Sequence, residues 1–245
     1  MYRTLFILTL IAGLFALPQP ASALKLLTEE NPPLNYTENG KLTGMGTEVV
    51  KEMSQRANVP VKIEVMVWAD AYKRVQTDKE TCLYSTARLP NRELVFKWVG
   101  PIAVNKWGLF SKSGFSQPIK TLADVRPYRI GGVTRDAKTE YLKQKGITNI
   151  FEVADDKLNP PKLTLNRKEP QRIDLWITSV AGAKEIAAQA KAPDVKLVFL
   201  VRKVDSYLAC NPRTSEATLK ALSAALDEIK KDGTFKKIVD RYESR

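Results

Sequence analysis

From Leu24 onward the chain alternates short strand-like runs with helix-like segments, and this alternation limits the fold more than any other feature. Leu24 to Thr28 is a brief apolar run broken by Asn31-Pro32-Pro33, and Asn39-Gly40 marks a turn. Thr47 to Ala57 places Val49, Val50, Met53 and Ala57 on one helical face. Val61, Ile63 and Val65 alternate with Lys62 and Glu64, as in a strand. Asp70 to Gln76 reads as a short helix, then Cys82 to Thr86 and Leu94 to Val99 as strands, the latter stopped by Gly100-Pro101. A second block repeats the alternation. Strands are expected at Trp107 to Ser111, Arg129 to Val133, Asn149 to Val153, Ile173 to Thr178 and Lys196 to Val201. Thr121 caps a short helix, Asp136 to Lys145 is a helix closed by Gly146, and Val180 to Ala190 is an Ala-rich helix. A strand at Ser206 to Cys210 and two helices, one capped by Thr214 and one starting at Thr234, end the chain. The polar stretch Lys157 to Pro170 has no clear pattern. Such alternation predicts an α/β architecture with largely parallel sheets.

The N-terminus reads as a secretory signal peptide over Met1 to Ala23. Arg3 supplies the positive start, Leu5 to Leu17 the apolar run, and Ala21-Ser22-Ala23 a small-x-small cleavage site. That run is shorter than the ~20 residues of a membrane span. The protein is therefore expected to be exported, to the periplasm in a bacterium. About 220 residues remain, enough for one large domain or two small ones.

A net charge of +12 raises the question of nucleic acid. The cations are scattered among acids, as in Lys51-Glu52 and Asp227-Glu228, so nucleic acid is not expected as a partner. The chain has no histidine, which removes His-based triads, His metal sites and His acid–base catalysis. Its two cysteines, Cys82 and Cys210, cannot build a zinc site alone. Outside the cytoplasm they form either a disulfide or two separate buried thiols. No metal and no cofactor is expected.

Several short motifs, in order, resemble the extracytoplasmic solute-binding proteins of the polar amino-acid uptake family (solute-binding family 3). Asn39-Gly40-Lys41-Leu42-Thr43-Gly44 followed by Glu48 is similar to that family's first turn and helix. Thr86 to Glu93 resembles its T-P-E-R motif, and Trp98-Val99-Gly100-Pro101-Ile102 its segment before the crossover. Arg172-Ile173-Asp174 and Lys231-Asp232-Gly233-Thr234-Phe235, with Ile238 and Tyr242, complete the series. The resemblance covers essentially the whole mature chain. It implies a two-lobed clamp with two hinge-crossing segments. Lobe one would hold residues 24–104 plus 204–245, and lobe two 105–203. Both cysteines would then fall in lobe one, which favours the disulfide. It also implies a monomer that captures a small polar solute, an amino acid or related carboxylate, for the permease of an ABC importer. A ligand-sensing module for a membrane receptor and a dehydratase-like enzyme are the alternatives on the same fold.

The same resemblance assigns candidate ligand residues. Arg92 matches the arginine that binds the ligand's α-carboxylate through two parallel charge-assisted hydrogen bonds. Arg88 is either a second cleft cation or a solvent-facing side chain. Ser85 aligns with a hydroxyl contact. Arg135 and Asp136 open a helix whose free N–H groups could meet a carboxylate, although Asp136 also suits a plain helix cap. Ser179 stands where many relatives have an aspartate for the ligand's ammonium. Glu48 or Asp136 would then have to replace it, or the ligand is no plain α-amino acid. Tyr36 and Trp68 are candidates for an aromatic wall or for core packing.

Overall fold

The computed structural model describes residues 23–192 and 194–243. The expected leader, apart from Ala23, lies outside them. Among the described residues, ten strands and six α-helices follow in chain order: β1 (Leu24–Thr28), β2 (Tyr36–Glu38), β3 (Lys41–Thr43), α1 (Met45–Arg56), β4 (Val61–Val65), α2 (Trp68–Thr77), β5 (Thr81–Ala87), β6 (Lys97–Lys112), β7 (Ile130–Val133), α3 (Ala137–Gln144), β8 (Ile150–Val153), β9 (Leu175–Ser179), α4 (Ala183–Gln189), β10 (Val195–Cys210), α5 (Glu216–Lys231) and α6 (Thr234–Glu243).

Eight strands form one sheet in the order β4-β1-β5-β10-β6-β9-β7-β8. Its two ends are parallel, as the alternating pattern predicts: β1 pairs in parallel with β4 and β5, and β7 with β8 and β9. The centre is antiparallel, which the pattern does not predict. There β6 and β10, each 16 residues long, run side by side in opposite directions. They merge four segments that read as separate strands. Gly100-Pro101 does not end β6, because the ladder absorbs the break: the β10 partners shift register between Ser206 and Leu208. At one end of this ribbon Cys210 faces Lys97 and β5 joins β10; at the other Val195 faces Lys112 and β9 joins β6. The chain thus makes two lobes connected by two crossing strands.

The first lobe's core lies between the sheet and α1, α5 and α6. Leu26, Val49, Met53, Leu222, Leu226 and Ile229 are buried there, each stabilising by roughly 1.5–3 kcal/mol. Ser215, not Thr214, caps α5, its hydroxyl accepting from the Thr218 N–H; the Thr214 side chain is buried instead. The second lobe buries Leu109, Ile130, Leu142, Leu175 and Ile177. A further cluster gathers Leu27, Trp68, Leu83 and Phe96 of the first lobe with Val133 and Val153 of the second, so apolar contacts span the crevice between the lobes. Lys157 to Pro170 overlaps two short 3-10 turns, Asp156–Leu158 and Pro160–Thr164.

Cys82 and Cys210 are directly paired across β5 and β10 and joined by a disulfide. Both are fully buried, and the bond closes a loop of 128 residues.

Candidate functional site

Ligands of open α/β sheets bind beyond the carboxyl ends of the strands. Here the ends of β1, β5, β7 and β9 bring Glu29, Ser85, Arg135, Asp136, Thr178 and Ser179 toward the boundary between the lobes. Two of these positions depart from ordinary backbone geometry. Ser85 (φ 57°) and Arg135 (φ 61°) are left-handed, a conformation that costs a non-glycine residue of order 1–3 kcal/mol and clusters at functional sites. Ser85 lies in a bulge of β5 opposite Tyr207 and Ala209. Its hydroxyl is buried and pressed against Gly46, where a Cβ would come within 2.4 Å of it.

Arg92 follows Pro90 in a 3-10 turn and is 0 % exposed. Its guanidinium lies between two first-lobe rings, 5.7 Å from the centroid of Trp68 and 4.9 Å from that of Tyr72. Nη2 reaches across the crevice. It donates to the backbone carbonyl of Arg135 at 3.0 Å and to the Glu140 carboxylate at 2.7 Å. Nε and Nη1 are buried without a hydrogen-bond partner. The Trp68 indole N–H also donates to the Arg135 carbonyl, at 2.9 Å. One left-handed residue of the second lobe therefore accepts two hydrogen bonds from the first.

A second polar group was not foreseen from the sequence. Lys138 on α3 is buried, with its Nζ 3.0 Å from Asp136. Asp136 also caps α3 by accepting from the Lys138 N–H at 2.8 Å. Asp156 accepts from Trp176 at 2.7 Å, from Thr178 at 2.6 Å and from Asn159 at 3.1 Å. Glu29, at the end of β1, faces this group from the first lobe. Burial first, and then the nearby Asp136, push its carboxyl up to about 8. Burial likewise raises Asp156. For Lys138 burial acts downward, but the surrounding Asp136, Asp156 and Glu29 outweigh it and leave the ammonium above its ordinary value. The acids thus already enclose one cation of the protein's own. Glu29 directly follows a strand end, and that position is the signal that could have flagged it. Asp156 and Lys138 carry no such mark, because their burial depends on the packing of the second lobe.

The remaining candidates divide. Trp68, Arg92, Arg135 and Asp136 are brought together at the crevice; the Arg135 side chain itself is exposed. Ser179 ties the lobes: it accepts from Asn105 at 2.9 Å and donates to Asn31 at 3.1 Å. Asn31 thus holds the position opposite the serine that stands in place of an acid. Glu48 is engaged within the first lobe. It pairs with Arg241 and accepts from Tyr242, securing α6 against α1. Asp136 is committed to its cap and to Lys138. Arg88 forks onto Glu93 and lies 5.6 Å from both the Trp98 and Tyr207 rings. It lines a separate surface cavity of about 550 Å³ with Arg202 and Asp205. Tyr36 is buried in the first-lobe core cluster, in line with core packing, one of its two readings.

With this geometry, likeness to known proteins becomes informative. Residues 24–244 match the model of the bacterial extracellular solute-binding proteins, family 3. The chain belongs to this family. It is a solute-binding protein of the two-lobed type. Among curated relatives it is 23% identical over 225 residues to the probable amino-acid-binding protein YxeM of Bacillus subtilis (strain 168), covering 88% of this chain and 81% of that one. It is 21% identical to the amino-acid-binding protein AabA of Dichelobacter nodosus, covering 86% and 83%. Among solved structures, a histidine kinase sensor domain similar to periplasmic binding proteins superimposes with a TM-score of 0.78 at 15% identity, covering 90% of this chain and 95% of that one. An ancestral arginine-binding protein bound to arginine gives 0.76 at 21%, covering 90% and 97%. These structures share the fold. Among the described residues, no helix is long and apolar enough to cross a membrane.

Proposed function

We propose that this chain is a periplasmic binding protein that captures an amino acid or a related small carboxylate between its lobes and delivers it to an ABC permease. The leader at Met1 to Ala23 exports it, and it works as a monomer without catalysis. Lobe one comprises residues 24–104 plus 204–245 and lobe two residues 105–203, with the boundary at the middle of the β6–β10 ribbon, where Val104 pairs with Asp205 and Asn105 with Val204. The observation that carries this reading is Arg92: a fully buried guanidinium at the crevice, with Nε and Nη1 unpaired. A buried donor without a partner is costly, and a solute carboxylate would supply one. Trp68 and Tyr72 flank the same guanidinium and give the solute an apolar wall. Ser85, Arg135, Asp136 and Ser179 complete its surroundings. A binding partner that contacts both lobes favours the closed arrangement, because only there are both contacts made. The names of the curated relatives support an amino acid as the solute.

Calorimetric titration of the pure protein with the twenty amino acids and with short dicarboxylates tests the reading. Saturable binding of at least one, abolished by Arg92→Ala, is expected. Absence of binding across the panel overturns it. The fold shared with a kinase sensor domain supports a second reading, in which the same closed clamp presents its state to a membrane receptor.

A further inference from the structure

We propose that Glu140 is a built-in competitor for the solute's carboxylate, occupying Arg92 until a solute takes its place. The inference rests on the reading of Arg92 as the carboxylate anchor. A guanidinium offers a carboxylate two paired edges, Nε with Nη2 and Nη1 with Nη2. Both edges include Nη2. In this protein Nη2 carries two hydrogens, and both are committed, one to Glu140 and one to the Arg135 carbonyl. The free donors, Nε and Nη1, belong to different edges. An incoming carboxylate can therefore gain the two-point grip only by displacing an existing acceptor. Glu140 is the one able to leave.

Three features support that exchange. Arg92 is 0 % exposed and held between two rings, whereas Glu140 is 25 % exposed on the first turn of α3. Glu140 also lines an inter-lobe crevice of about 470 Å³ together with Tyr72, Lys73, Gln76, Thr77 and Arg135. Lys73 and Arg135 are cations in that crevice that can receive the displaced carboxylate. Finally, exchanging one carboxylate for another keeps the buried guanidinium paired throughout, which avoids the large cost of an uncompensated buried charge.

The consequence is selectivity. The carboxylate contact replaces the one-point contact of Glu140, so its net gain is the second donor, Nε or Nη1, less the work of displacing Glu140. A simple monocarboxylate gains only that second donor over Glu140. The cleft therefore selects solutes that add further polar or apolar contacts, and it rejects small metabolic acids.

The test uses acetate as the probe and thermal melting as the readout. Glu140→Ala should acquire a melting temperature that rises with acetate and saturates, with acetate binding at least about tenfold tighter than in the unaltered protein, within the usual range of coupling between sites. The shift should vanish in the double variant Arg92→Met, Glu140→Ala. Glu140→Gln, which keeps the side chain's shape, provides the same comparison if Glu140→Ala folds poorly by circular dichroism. Equal acetate shifts in the variant and the unaltered protein, or none in either, overturn the proposal. An amino acid that binds the unaltered protein while acetate leaves Glu140→Ala unmoved would overturn only this inference. An acetate response in Glu140→Ala, with no amino acid or dicarboxylate bound by any form, would overturn the amino-acid reading instead.

Discussion

The indole N–H of Trp68 donates to the backbone carbonyl of Arg135 at 2.9 Å, and this bond links a helix of the first lobe to a left-handed residue of the second. Arg135 adopts φ 61°, and the same carbonyl also serves Arg92. Trp68→Phe keeps most of the buried ring and removes only the donor. A single hydrogen bond contributes about 1 kcal/mol net, so solute affinity should fall roughly fivefold if the bond belongs to the closed state. Calorimetry on Trp68→Phe checks this, and unchanged affinity would show that the tie is not part of closure.

Arg92 carries a larger share. Arg92→Ala removes the anchor and leaves a cavity beside Trp68 and Tyr72, so affinity for the solute should fall by about 2–5 kcal/mol. Arg92→Lys should recover little of it, since an ammonium offers no planar fork and stacks less well on the two rings. A lysine variant that binds as well as the unaltered protein would argue that charge alone holds the solute.

Glu29 makes stability depend on pH in a direction opposite to that of a paired carboxylate. Its carboxyl rises from 4.5 to about 8 in the folded protein. Between those values the folded state holds a proton that the unfolded state has released. The stabilising contribution is therefore complete below pH ~4.5 and is lost as pH climbs through 8. Asp156, raised in the same direction, adds to the trend. Urea unfolding at pH 5.5, 7 and 8.5 should give falling midpoints. Glu29→Gln, which mimics the protonated group, should flatten the series; an equally steep decline in that variant would remove Glu29 as the cause.

The sequence was legible where one face repeats. The apolar stripe of α5 (Leu219, Leu222, Leu226, Ile229) and the parallel outer strands β1, β5, β7 and β8 lie where periodicity puts them. It was less legible where long-range pairing decides. Gly100-Pro101 looks like a stop, yet β6 passes through it because β10 supplies a partner along both halves. Site residues followed the same division. Arg92 sits inside a local motif and meets Trp68 at the crevice. Glu48 carries a similar motif signal but is taken by Tyr242 and Arg241 of α6, nearly two hundred residues away. The cluster of Glu29, Lys138 and Asp156 joins three distant segments, and no local pattern connects them.

The disulfide gives the last prediction. Cys82 and Cys210 are directly paired on β5 and β10, in the first-lobe core beside α1 and α5. Leu83, the next residue along β5, belongs instead to the cluster that contains Trp68. Neighbouring residues of a strand point to opposite faces, so the bond lies on the α1–α5 face of the sheet, opposite the cluster that contains Trp68. Closing 128 residues removes unfolded-state entropy equivalent to about 5 kcal/mol in the loop-closure model. Replacing both cysteines by alanine tests that figure without burying unpaired hydroxyls, which serine would add at a cost of its own. Urea unfolding of the double variant should show a loss of about 3–5 kcal/mol and a steeper denaturant dependence, because the unlinked chain exposes more surface. Solute affinity at a temperature where the variant is folded should stay unchanged. A large loss of affinity with little loss of stability would mean that the bond acts on the crevice rather than on the unfolded chain.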